Sequence, residues 1–271
     1  MKSITHLISI LMKNSFIILL ALLLCSCAED SDDNSTASYF AFVGLEFTHN
    51  WDGAPINNSD FNQFKYTNNN GESMSISKLR YVISDVTLYD EDNNIKNIYT
   101  YPNLVDVSDA NSLSFGVFDS IPIGNYGNIS FRFGLKDSQN VSGFYTNLDS
   151  EDLNIPNNFG GGYYYMQLEG QYFVPTANDS IDAVEIDYQF YTNRAVDTTH
   201  IQPSRDTSIK IDLGPTTITD NKILTIKMNV AEWFKNPNTW DLDVLHSDLT
   251  PNYNAQIMMN ENGQNVFSLD N

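Results

Sequence analysis

The chain is poor in the residues that most often carry chemistry. Among its 271 residues are two cysteines, Cys25 and Cys27, and four histidines. Both cysteines lie in the leader region described below, so the mature chain is expected to hold no disulfide. That excludes a cysteine nucleophile, an iron–sulfur cluster and a Cys-type structural zinc. Basic residues are also scarce, at 14 Lys and Arg against 34 Asp and Glu, for a net charge of −20. A chain so acidic repels nucleic acid and anionic headgroups, and cations are its natural small partners. The sequence also lacks G-x-S-x-G, H-E-x-x-H, a P-loop and G-x-G-x-x-G. A serine triad would need one of the three mature histidines, His49, His200 or His246. Carboxylates are plentiful, but nothing marks one pair for glycoside hydrolysis. The chain is therefore read as a non-enzyme.

Long apolar runs are missing too, with one exception at the start. Phe16 to Leu24 is unbroken and follows Lys2 and Lys13. It is shorter than the ~20 residues needed to span a bilayer and has the make-up of a signal-peptide core. Leu24-Cys25-Ser26-Cys27 follows at once, the pattern cut by lipoprotein signal peptidase. Residues 1–26 are thus expected to be a lipoprotein signal peptide, with Cys27 carrying the lipid. Residues 27–37, with Glu29, Asp30, Asp32 and Asp33, form an acidic tether with nothing apolar to bury. The expected location is the outer membrane, on its periplasmic or cell-surface face, with the lipid anchor as the membrane contact.

Beyond the tether no helical period is sustained, and the spacing of apolar residues is two. Val43, Leu45 and Phe47 alternate with Gly44, Glu46 and Thr48. Ile129, Phe131, Phe133 and Leu135 do the same, as do Val184, Ile186, Tyr188 and Phe190, and Leu224, Ile226, Met228 and Val230. Such runs predict strands with one wet face. Between them lie turn residues such as Asn70-Gly71, Gly160-Gly161-Gly162 and Gly214-Pro215. The expectation is all-β: a single antiparallel β-sandwich domain over residues 38–271, with long loops and one short helix near Ala231–Phe234.

His49 continues the parity of Leu45 and Phe47, so it should project from the apolar face at the rim of the core. A rigid, partly desolvated imidazole suits metal ligation, and equally a hydrogen bond to a backbone carbonyl. Asp52, in the Trp51-Asp52-Gly53 turn, offers an oxygen for a hard cation. Tyr163-Tyr164-Tyr165 beside three glycines would suit sugar stacking or core packing.

Six segments taken in order resemble the MbnP-like family of exported copper-binding proteins. They are Leu45-Glu46-Phe47-Thr48-His49-Asn50-Trp51-Asp52-Gly53, Lys78 to Leu88, Ile129 to Leu135 with Asn140, Gly162 to Gly170, Asn229 to Pro237, and Asn265-Val266-Phe267-Ser268. The resemblance implies a β-sandwich holding one copper ion, with ligands that include histidines and a tryptophan oxidised to kynurenine with the help of a di-haem partner. His49 matches the first-strand histidine. Phe47 stands where that tryptophan is expected, so no kynurenine can form. Gln189, in Asp187-Tyr188-Gln189-Phe190-Tyr191, replaces a second histidine. The implied cofactor is copper at a partly degenerate site of His49 and Gln189, which Gln189→His should strengthen. The alternative is an interaction module for protein or glycan without a metal.

Overall fold

The computed structural model describes residues 39–174, 184–199 and 201–270. The signal segment, Cys27, the acidic tether and His200 lie outside the described residues.

The alternating runs fold as strands. In chain order these are β1 Phe40–Trp51, β2 Ala54–Pro55, β3 Tyr66–Thr67, β4 Ser73–Met74, β5 Lys78–Tyr89, β6 Ile95–Tyr99 and β7 Asn103–Asp106. Next come β8 Ser114–Pro122, β9 Gly124–Phe133, β10 Met166–Val174, β11 Val184–Thr192, β12 Ile209–Ile218, β13 Lys222–Asn229 and β14 Phe267–Leu269. They form two sheets, and the all-β sandwich expected from the sequence is the fold observed. One sheet runs β14-β13-β1-β2, with β8 also on β1. The other runs β12-β9-β5-β10-β4-β3, with β11 on β10 and β6 and β7 on β5.

Burial follows the period of two. On β1, Val43, Leu45, Phe47, His49 and Trp51 are buried, whereas Glu46 and Thr48 are exposed. β5 departs from this pattern: Tyr81 through Leu88 are buried on both faces. It pairs with β9, β10, β6 and β7, so it is a central strand with both edges occupied. Aromatic rings join the sheets. Phe47 of β1 meets Tyr81 of β5 and Phe131 of β9, each 5.9 Å away edge-on.

One ladder is not antiparallel. β1 and β13 run parallel, from Val43 opposite Lys222 to Asn50 opposite Asn229. Parallel neighbours need a long crossover, and here most of the domain lies between them in sequence. The expected helix near Ala231 is a 3₁₀ turn, Val230–Phe234. A short helix α1, Thr146–Asp149, and a ten-residue helix α2, Tyr253–Asn262, were not expected. Asn252 caps α2 by accepting a hydrogen bond from the Ala255 amide.

Candidate metal centre

The site is built on a gap in the pairing of β1. β8 leaves β1 at Glu46, and β2 joins it at Asn50. Between them β1 has a ladder partner only on the β13 side. A cleft of about 610 Å³ opens there, lined among others by Phe47, His49, Ile56, Val107, Leu113 and Lys227.

His49 is 5% exposed and projects from the same face as Leu45 and Phe47, as its parity predicts. Its Nε2 lies 3.0 Å from the Tyr81 hydroxyl. Among the described residues its Nδ1 has no hydrogen-bond partner. Burial disfavours the charged ring and pushes the His49 pKa down to about 4. The imidazole is therefore neutral at physiological pH, the form that binds metals. The same burial raises the Tyr81 pKa well above the ordinary tyrosine value, so the phenol stays protonated.

Register adds a second donor that the sequence reading missed. His49 is the ladder partner of Met228. Adjacent residues on paired strands share a face, about 4.8 Å apart along the hydrogen-bonding direction. Met228 is fully buried, so its side chain lies on the same inner face as the imidazole.

The structure does not bring Gln189 to His49. Gln189 sits on β11, in the other sheet, and is exposed, while its neighbours Tyr188 and Phe190 are buried. Its backbone amide donates to the His246 carbonyl at 2.7 Å, so only main chain is engaged. A His49–Gln189 ligand pair is thus corrected: alternation on β11 turns the amide outward. His246 is half-buried, with Nδ1 3.0 Å from the Leu242 carbonyl and its ring beside Tyr172.

Other candidates have ordinary partners. Asp52 accepts hydrogen bonds from Asn229 and Lys235. Burial alone would raise its pKa, but those two bonds outweigh it and hold the carboxyl below the usual range. It is a lysine's partner rather than a calcium ligand. Tyr163 and Tyr165 are fully buried and only Tyr164 reaches the surface, so the three tyrosines form no stacking platform. Glu72, Asp241 and Asp243 bring carboxylate oxygens within 4.8 Å of one another. Glu72 is occupied by the amides of Leu242 and Asp243 and by the Asn68 side chain, which together clasp the loop.

Phe47 is packed on three sides, by Tyr81, Phe131 and the stacked ring of Phe115. This is a core position with no polar atom to offer a metal. The candidate metal donors on this face are one imidazole and, across the ladder, one thioether. Both are soft enough for copper(I), and they fall short of a closed coordination shell.

Comparison with curated proteins returns no match. Among solved structures, the chain is similar to MbnP from Methylosinus trichosporium, at 14% identity and a TM-score of 0.47. That similarity covers 74% of this chain and 80% of the other. The model of the MbnP family matches residues 41–259, a range that takes in His49 on β1, the whole of β5 and the first part of α2. The chain belongs to the MbnP family.

Proposed function

We propose that this chain is an exported lipoprotein, anchored to the outer membrane through Cys27, whose MbnP domain binds copper weakly at His49. The observation that carries the metal reading is a neutral, buried imidazole on the lining of a cleft, with one nitrogen tied and the other without a partner among the described residues. Metal at Nδ1 requires the proton on Nε2, where it is donated to the Tyr81 oxygen. That bond would orient the ring as outer-shell partners of metal-binding histidines do. Met228 would add a thioether, which favours copper(I) over copper(II). With two donors the site stays open to a ligand from solution or from a delivery partner. No catalytic role is proposed.

The test is a titration of the mature chain with copper(I) and copper(II) in high salt against a competing chelator. High salt removes loose uptake by the acidic surface. Weak binding of one copper(I), abolished in His49→Ala, supports the reading. Tight binding that survives His49→Ala overturns it. The anchor is tested separately, by mass spectrometry of the native N-terminus, which should carry acyl chains on Cys27.

A second reading is a cleft for an organic ligand without metal. Ile56, Val107 and Leu113, which line it, favour that reading. It would be preferred if copper fails to bind in any form.

A further inference from the structure

Exposed apolar side chains gather where β1 begins. Tyr39 is 67% exposed, Phe40 56% and Ile123 37%. The backbone holds them side by side: the Ile123 amide donates to the Tyr39 carbonyl at 3.0 Å, and Phe40 is the ladder partner of Pro122. Pro122 is exposed as well. The core has no need of this group, because Ala41, Val43 and Ile121 on the same strands supply the buried contacts. Contiguous exposed apolar residues on a folded domain mark a surface that meets something.

What it meets follows from where the chain leads. Tyr39 continues directly into residues 28–38 and then Cys27. Twelve steps of fully extended chain reach at most about 40 Å, and any less extended path reaches less. With Cys27 acylated, this end of the domain is confined close to the bilayer. Tyrosine and phenylalanine are side chains suited to headgroup depth, where an apolar body and a polar tip both find partners. Among the described residues, the basic side chain that shares a shallow cavity with Pro122 and Ile123 is Lys96, and it is paired with Asp90 at 2.9 Å. With a net charge of −20, the docking force must be apolar.

We infer that Tyr39, Phe40, Pro122 and Ile123 seat the domain on a zwitterionic bilayer surface, so that the sandwich stands on this end. The inference rests on the lipoprotein reading above. The other end of β1 would then face away from the membrane. That end runs from Trp51 through the packed rings of Phe234, Phe190 and Trp240 to the loop holding Val244.

The experiment uses the full mature chain with acylated Cys27 in phosphatidylcholine vesicles. No other cysteine remains in the mature sequence, so Ile123→Cys and Val244→Cys can each be labelled with a nitroxide. Both positions are exposed, at 37% and 71%, so neither change should disturb folding. Power-saturation spectroscopy then compares access by oxygen and by a water-soluble nickel chelate. The expected result is a several-fold loss of nickel access at position 123 on adding vesicles, with no loss at 244 and no reversal in high salt. Adding Tyr39→Ser and Phe40→Ser to the labelled Ile123→Cys chain should restore access. Equal access at both positions in acylated protein overturns the seating alone. Shielding of position 123 without vesicles, rising with protein concentration, also overturns it and assigns the patch to a second copy of the chain. Absence of acyl chains on Cys27 defeats the lipoprotein reading itself.

Discussion

The Nε2 atom of His49 lies 3.0 Å from the Tyr81 hydroxyl, in a place where both rings are shut away from water. Folding therefore requires His49 to be neutral. Its pKa is about 4 in the folded chain against 6.5 for the free side chain. A depressed histidine contributes stability that is fully present above the unfolded value and is lost as pH falls toward the folded one. The loss should amount to about 3 kcal/mol between about pH 6.5 and 4. Carboxylates act lower. Asp90, held down to about 2 by hydrogen bonds from Lys96 and Asn94, loses its contribution as pH falls from the ordinary carboxylate value of 3.8 toward about 2. Urea unfolding of wild type and His49→Gln across this window should show the extra loss in wild type alone. Parallel pH curves for the two proteins would refute a buried neutral imidazole.

Tyr81→Phe keeps the ring that Phe47, Phe133 and Phe267 pack against and removes only the oxygen. It leaves a buried ring nitrogen without its partner, at an expected cost of about 1–3 kcal/mol. His49→Phe combined with Tyr81→Phe replaces both polar groups by apolar ones and should recover part of that loss. A double-mutant cycle in chemical denaturation measures the coupling, expected at about 1 kcal/mol. Additive single effects would mean that the two groups do not interact.

Gly170 closes the Leu168-Glu169-Gly170 segment of β10. A β-carbon at this position would sit 2.0 Å from the Ser75 carbonyl oxygen. That backbone cannot retreat, because the Ser75 and Ser77 amides donate to the Gln171 and Glu169 carbonyls and the Tyr188 hydroxyl donates to Ser75. Gly170→Ala should cost about 3 kcal/mol or more, as overpacking against fixed backbone does. Gly71→Ala is the comparison: its turn has φ +89° and open space around it, so only the left-handed conformation is penalised, by about 1–2 kcal/mol. Thermal melts of the two variants should separate clearly, and similar melting temperatures would show that the close approach is absent.

The sequence shows the strands because half-buried sheet leaves a period of two, and that rule alone places His49 on its face. The same rule put Gln189 among the outward residues of Val184–Thr192, beside Glu185 and Asp187. Its pairing with His49 came from the family resemblance, and the alternation is what the structure follows. Met228 could not be found in this way. Its neighbourhood with His49 depends on a parallel ladder between strands far apart in sequence, and period alone carries no register. Helix α2 was hidden for another reason. Its buried face includes Gln256 and Asn262, which hydrogen-bond the Asn193 amide and the Trp233 and Asn238 carbonyls. A helix that buries amides has no apolar stripe to detect.

The proposed copper site provides the last prediction, through three variants. Donor number and softness set copper(I) affinity, and they count only where side chains converge. Met228→Leu keeps the buried volume and removes the thioether, so it should weaken copper(I) binding while costing under ~1.5 kcal/mol in stability. Copper(II) binding, which makes less use of thioether, should change little. Gln189→His adds an imidazole on the exposed face of β11, in the other sheet from His49, and should leave the affinity of the His49 site unchanged. Any copper it gains should be loose, and should persist when combined with His49→Ala. Ile56→His places a new imidazole on the lining of the His49 cleft, at a residue whose amide already donates to the His49 carbonyl at 2.9 Å. It is the change that should tighten binding, and the gain should vanish with His49→Ala. Chelator-competition titrations of all three decide the matter. A gain from Gln189→His that depends on His49, or no loss from Met228→Leu, would mean that the metal is held by a different set of donors.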